Sequence, residues 1–340
     1  LPISREMARP MRVLRDQLCF IVVILCVATP FYCVFYIPKP QLIRYGPSLC
    51  DANDMWQCPL PLMDFPSKYR TALPSYRLTA CVIEKSMSTF LAAIMCFLHN
   101  PTAFRSANRS LTTELYHTRF CAGKNEYNYF GPVKQQKDIK LLTVVRDPLE
   151  RFVSGYADKC IKEKDSARKM GGKRCYGCQE YDIMCFMQEQ YRRILDYSSG
   201  KIGPGRRTYY DIHFFPQNWY CSFCSAFSNY SVIRYGEETE SQLRMGEDIF
   251  SLLRSANVEN EEIEYIRKEM FSSRTSHATA DTPEKAKVRE IIMTSKTLVG
   301  ILTRMYYHDY IIFGFSFPKT IVDESFEVPN DNYSREKGKI

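Results

Sequence analysis

The sequence predicts an α/β fold, on three observations. An apolar run rich in β-branched residues, Leu141–Val145, leads through Arg146-Asp147-Pro148 into a helix whose apolar face is Leu149, Phe152, Val153 and Tyr156. A second apolar run, Leu78–Ile83, leads through Glu84-Lys85-Ser86-Met87-Ser88-Thr89 into the apolar helix Phe90–Leu98. Short apolar runs read as buried strands, and i, i+3, i+4, i+7 spacing reads as one helix face. The third observation is bulk: 340 residues, 45% apolar and 25% charged, suffice for one large domain or two small ones with an ordinary core.

From the N-terminus, residues 1–16 carry Arg5, Arg9, Arg12 and Arg15. Residues 17–37 carry no charge and are almost wholly apolar, matching a bilayer span of about 20 residues. Arginines before the run, and only Lys39 and Arg44 just after it, predict a cytosolic tail over 1–16 and a luminal bulk, the layout of a type II signal anchor. The alternative is a signal peptide cleaved near Ala28, for which the run is long. Residues 38–75 hold seven prolines with Cys50 and Cys58, and read as a luminal stem tied by a Cys50–Cys58 disulfide. Eleven of the fourteen cysteines lie beyond residue 37, with sequons at Asn108, Asn229 and Asn332. Together they favour an oxidising, secretory compartment, and an odd count leaves at least one thiol outside internal pairing.

The turn Glu84–Thr89 places a lysine and three hydroxyls at a helix N-terminus, where backbone N–H groups and an ammonium make an anion cradle. The glycines of GxxxxGK[ST] are missing, which disfavours a conventional ATPase or GTPase. A capped helix with an exposed lysine is the plainer alternative. Residues 99–140 read as irregular. In Leu141–Tyr156, Asp147 suits the N-cap and Pro148 the first helical position. Arg146 is thereby left at the carboxyl end of a strand, where open α/β sheets bind ligands. Arg151, Ser154 and Asp158 share another face of that helix. Arg146 and Ser154 are candidate phosphate ligands; the alternative for Arg146 is an ion pair with a carboxylate.

Residues 159–174 are basic, either simply solvated or embracing an acidic polymer; a luminal setting excludes nucleic acid and leaves an acidic glycan. The net charge of +8 agrees with an anionic partner. Cys175-x-x-Cys178 and Cys221-x-x-Cys224 stand too far apart for a zinc ribbon, so they read as disulfide cysteines, joined by Cys160 and Cys185, and no metal is expected. Helices are expected over Ile183–Leu195, over Val258–Phe271 and from Pro283 to Leu302, with a strand at Val232–Tyr235. The aromatic end Tyr306–Phe315 reads as core, and residues 319–340 as a loose tail. His213, in an aromatic and proline-rich segment, is either packed or a base near a cleft.

Three motifs carry a resemblance. Lys85-Ser-Met-Ser-Thr89 after a strand, Arg146-Asp-Pro-Leu-Glu-Arg-Phe-Val-Ser154-Gly155, and His213-Phe-Phe-Pro216-Gln217 with Cys221-Ser-Phe-Cys224 resemble those of the Golgi membrane-bound carbohydrate sulfotransferases. The likeness is to the chondroitin 4-O-sulfotransferase group, particularly its nematode-type branch. Asp309-Tyr-Ile-Ile-Phe-Gly314-Phe is similar to that family's closing pattern. The departures are Glu84 where proline is frequent and Phe214 where tryptophan is common.

The resemblance implies a P-loop-kinase-like central parallel sheet flanked by helices, in a sulfotransferase domain over 76–318 behind the transmembrane helix. It implies transfer of a sulfuryl group from 3′-phosphoadenosine 5′-phosphosulfate (PAPS) to a sugar hydroxyl of a chondroitin-type glycan, in the Golgi. Lys85, Ser86, Met87, Ser88 and Thr89 would hold the 5′-phosphosulfate, and Arg146 and Ser154 the 3′-phosphate. Lys85 would neutralise charge on the bridging oxygen. His213 is the first candidate base, with Glu84 and His277 as alternatives. The competing function is a catalytically inactive luminal glycan-binding protein on the same scaffold.

Overall fold

Five strands form one sheet: β1 (Lys68–Thr71), β2 (Leu78–Val82), β3 (Glu126–Tyr127), β4 (Lys140–Val145) and β5 (Tyr230–Arg234), in the order β3-β1-β2-β4-β5. The computed structural model describes residues 58–163, 173–272 and 282–319. Strands β2, β4 and β5 run parallel, with Cys81 opposite Thr143 and Val145 opposite Arg234. Strand β1 runs antiparallel to β2, and β3 antiparallel to β1. The expected parallel sheet is therefore corrected to a mixed one: its parallel centre carries an antiparallel edge. The connection Ala72–Arg77 is too short for a crossover, so it can join β1 to β2 only as a hairpin.

Strand β1 lies within residues 38–75, the span read from the sequence as a stem. Phe65 and Tyr69 are buried, and Phe65 packs edge-on against Phe215 and Tyr220. Prolines on both sides hide this strand, because their spacing masks any alternation. Cys58 is disulfide-bonded; its expected partner Cys50 lies outside the described residues. So do the tail 1–16, the apolar run 17–37, residues 164–172 of the basic segment, His277 and the chain beyond Lys319.

The pleat sends alternate residues to two cores. Cys81, Leu141 and Val145 join one; Ala80, Val82, Leu142 and Val144 join the other. The longer helices are α1 (Ser88–His99), α2 (Pro148–Tyr156), α3 (Ile183–Ser198), α4 (Tyr209–Phe214), α5 (Thr239–Ser255), α6 (Asn260–Ser272), α7 (Pro283–Met293), α8 (Lys296–Met305) and α9 (Tyr307–Phe313). Helices α1, α5 and α6 cover one face of the sheet; α2, α3, α4, α7, α8 and α9 cover the other. Residues Thr239–Ser255 after β5 form helix α5. Two expectations change in detail. The region from Pro283 breaks at Thr294-Ser295, where Ser295 Oγ caps α8 by accepting from the Leu298 N–H at 3.3 Å. The segment around His213 is the short helix α4, fixed by a Thr208–Asp211 capping box.

The helix of the Arg146 motif forms as its residues dictate. Asp147 caps α2 by accepting from the Glu150 N–H at 3.0 Å, and Leu149, Phe152, Val153 and Tyr156 are buried. Its second face is buried too, since Arg151 and Ser154 are almost fully enclosed. The helix continues as a π-helical segment, Ala157–Lys162, a form common at functional sites. Gly155 has no alternative at its position, because a Cβ there would meet the Phe214 ring at 2.9 Å.

Four disulfides lie among the described residues: Cys81–Cys221, Cys96–Cys121, Cys160–Cys175 and Cys178–Cys185. Neither CxxC pair closes on itself. Cys81–Cys221 bonds the end of β2 to the segment that follows α4, across 140 residues of sequence.

Candidate active site

Strands β2, β4 and β5 end at one edge of the sheet, and Lys85, Arg146 and Glu237 follow them there. That is the edge at which parallel sheets present ligand sites. The Lys85 loop forms without glycine, yet Lys85 (φ 67°) and Met87 (φ 59°) both take left-handed conformations. Such residues cost about 1–3 kcal/mol each and gather where a loop is shaped for a ligand. Met87 occupies the N-cap of α1 with no side-chain cap, and the half-buried Ser88 and Thr89 open the helix. A twelve-residue helix thus points an uncapped N-terminus at this edge.

Gln217 joins the motifs. Its Oε1 accepts from the Ser86 hydroxyl at 3.0 Å and from the Arg146 N–H at 2.9 Å, while its Nε2 donates to the Arg146 carbonyl at 2.7 Å. Asp309 holds Gln217 in turn: its carboxylate accepts from the backbone N–H groups of Gln217 (2.7 Å) and Asn218 (2.8 Å). Burial pushes the Asp309 carboxyl up, against the hydrogen bonds it accepts. Arg151 spans from α2 to the Lys85 loop, donating to the carbonyls of Glu84 (3.0 Å) and Phe215 (2.9 Å). The Arg146 guanidinium donates to the Lys85 carbonyl at 3.1 Å. The four motifs are therefore one hydrogen-bonded unit.

The side chains sort into two groups. Around Lys85, the ammonium lies 2.9 Å from Asp158 Oδ2, and Lys159 lies 3.1 Å from the same oxygen. Burial lowers the Lys85 pKa against the pull of Asp158. Burial acts on Asp158 too, but Lys85 and Lys159 outweigh it and hold its carboxyl down at about 2. Lys159 continues to Glu163 (2.8 Å), which also accepts from the Tyr209 hydroxyl (2.6 Å). His213 lies against Tyr209, ring centroids 4.7 Å apart. Its Nδ1 is 2.9 Å from the Tyr209 carbonyl, which can only accept, so Nδ1 carries the proton and Nε2 the lone pair. Burial and the charge on Lys159 and Lys85 hold the imidazole well below its usual 6.5, in the neutral form that can take a proton.

Around Arg146, Nε and Nη2 grip both oxygens of Glu237, Nη2 at 2.9 Å, and the guanidinium stacks 4.6 Å from the Tyr235 ring centroid. The carboxylate alternative weighed for Arg146 is thus realised in this structure. Ser154 is buried on α2. The Ser86 hydroxyl points to Gln217 rather than outward, so Ser86 shapes the loop from inside.

Residues 71–316 match the sulfotransferase family. The chain belongs to that family. The sulfotransferase is 33% identical over 262 residues to the carbohydrate sulfotransferase chst-1 of Caenorhabditis elegans, covering 75% of this chain and 77% of the relative. It is 31% identical over 226 residues to the putative sulfotransferase vep-2 of the same nematode, covering 64% and 68%. An uncharacterized C. elegans protein, C18B2.2, is 30% identical over 291 residues, covering 83% and 78%.

Both departures from the family pattern are accommodated in the sulfotransferase. The Glu84 carboxylate pairs with Lys68 at 2.7 Å. Phe214 is buried against Phe152 and Phe186, with ring centroids at 5.3 and 4.8 Å. Gln217, Asp309, Arg151, Asp158 and Glu237 are the site residues that sequence reasoning gave no role. Gln217, Arg151 and Asp309 lay inside the quoted motifs, and Asp158 on the helix face shared with Arg151 and Ser154, which was the available signal; nothing local marked Glu237.

Proposed function

We propose that this sulfotransferase transfers a sulfuryl group from PAPS to a hydroxyl of an acidic, chondroitin-type glycan in the Golgi lumen, anchored by residues 17–37. One observation carries the reading: Lys85 and Arg146 stand at the carboxyl ends of adjacent parallel strands and are locked together through Gln217 and the Lys85 carbonyl. Two cationic side chains on neighbouring strand ends suit a nucleotide that carries two phosphate groups. The name of chst-1 supports a carbohydrate acceptor. The disulfides, and the exposed Asn108 and Asn229 of two sequons, support a luminal setting.

The donor supplies the sulfuryl group; the chain supplies position and charge. The α1 N-terminus and Lys85 hold the 5′ end, and Lys85 neutralises the charge that develops on the bridging oxygen. Arg146 and Ser154 hold the 3′-phosphate. His213 Nε2 takes the proton of the attacking sugar hydroxyl, and 3′,5′-ADP leaves. Lys159, beside Lys85, gives the acceptor side a cation suited to an acidic sugar. Calorimetric titration of 3′,5′-ADP against wild type and Arg146→Ala tests the nucleotide half. Loss of one charge-assisted contact, about 1.5–3 kcal/mol, weakens binding roughly 10- to 100-fold. Equal affinity in the two proteins would remove Arg146 from the phosphate site.

A further inference from the structure

The ion pairs around Arg146 extend beyond the motif. Glu237, between β5 and α5, accepts from Arg146 through both oxygens, and its Oε2 lies 3.3 Å from Lys285 Nζ in the first turn of α7. Lys285 is held from the other side by Glu150 at 2.8 Å, in the first turn of α2, and Arg289 pairs with the second Glu150 oxygen at 2.8 Å. Two cations from separate elements thus converge on one carboxylate at the ligand edge of the sheet. Arg146 and Lys285 are both largely enclosed, with side chains 6% and 12% exposed, and buried cations are costly without a counter-ion. Lys285 has Glu150 for that purpose, so Glu237 is an additional anion placed between Lys285 and Arg146. Glu237 is the more solvent-accessible of the two carboxylates, at 29% against 15% for Glu150, and it sits just past Tyr235-Gly236, outside both flanking elements.

We propose that Glu237 is an internal stand-in for the 3′-phosphate, and that Lys285 is the second cation of that phosphate site. Glu237 neutralises Arg146 and Lys285 while the site waits. A phosphate dianion takes its place, and the carboxylate moves into solvent. The charges favour the exchange: three cations face two carboxylates in the resting cluster, and replacing Glu237 by a dianion brings the cluster to neutrality. Glu150 does not exchange, because it is the more enclosed carboxylate, 15% exposed against 29% for Glu237, and is fixed within the first turn of α2. The resting enzyme is thereby selective, since an anion must outcompete a bidentate carboxylate to enter. The inference rests on the assignment of Arg146 to the 3′-phosphate.

The test is calorimetric titration of the full-length chain with 3′,5′-ADP and with 5′-AMP, which lacks the 3′-phosphate. Glu237→Gln should bind 3′,5′-ADP about tenfold tighter than wild type, with 5′-AMP unchanged. Lys285→Met should bind 3′,5′-ADP on the order of tenfold more weakly, again with 5′-AMP unchanged, while Lys285→Arg keeps the wild-type ratio. The ratio of the two affinities is the decisive readout, because a loss of fold lowers both together. Unchanged or weaker 3′,5′-ADP binding in Glu237→Gln, or an unchanged ratio in Lys285→Met, overturns the proposal. If wild type fails to distinguish the two nucleotides, the assignment of Arg146 fails and this proposal falls with it.

Discussion

Gln217→Leu is the substitution that reaches furthest into the site. Gln217 is fully buried and touches no solvent. Leucine matches its bulk but supplies neither donor nor acceptor. The Ser86 hydroxyl, the Arg146 N–H and the Arg146 carbonyl would each lose a partner now at 2.7–3.0 Å. An orphaned buried polar group costs about 1–3 kcal/mol, so the loss of three partners should total roughly 3–9 kcal/mol. For a domain of this size that lowers the melting temperature by roughly 10 °C or more. The functional loss should be larger than the loss of stability alone implies. Gln217 sets the spacing of the Lys85 loop against Arg146, and a shift of about 1 Å in such positioning costs about 10²-fold in rate. Thermal unfolding and 3′,5′-ADP titration on one preparation provide the assay. Gln217→Glu should fall between wild type and Gln217→Leu, because it keeps the acceptor and places an oxygen against the Arg146 carbonyl. Wild-type melting and wild-type nucleotide affinity in Gln217→Leu would refute the view that the motifs form one unit.

Two further predictions follow from the Lys85 side. His213→Ala should lower kcat about 10²–10⁴-fold and leave 3′,5′-ADP affinity unchanged. In wild type the acid limb of kcat should fall below pH 6.5, because the base form is lost only as pH drops through the depressed imidazole pKa. A normal kcat in His213→Ala removes it as the base. Asp158 contributes stability through its depressed pKa, about 2 against an ordinary 3.8. The sign follows: the contribution, about 2 kcal/mol, is present above pH 4 and lost as pH falls toward 2. Asp158→Asn should therefore flatten the acid limb of urea stability between about pH 4 and pH 2. An unaltered limb would show that the Lys85–Asp158 pair adds nothing.

What could be read in advance was local. Asp147, Pro148 and the four apolar residues after them specify α2 within one segment, and the structure follows them. Leu78–Val82 and Lys140–Val145 announce buried strands because both faces are covered. The family was legible because its motifs are contiguous. What was missed depends on contacts far apart in sequence. Lys85 meets Asp158 across 73 residues, Ser86 meets Gln217 across 131, and Arg146 meets Glu237 across 91. No period or motif encodes such a meeting; the sheet order decides it. Strand β1 escaped notice for a different reason, since it is only four residues long among prolines and gains its place from hairpin pairing with β2.

Sulfuryl transfer itself is the claim on which the rest depends. Radiolabelled sulfate in PAPS, offered with a panel of desulfated glycans, measures it directly. The expected result is label in the chondroitin-type acceptor with wild type and loss of that label with Lys85→Ala. Label in no glycan, from a wild-type protein that binds 3′,5′-ADP, would contradict the account and leave an inactive binding scaffold in its place.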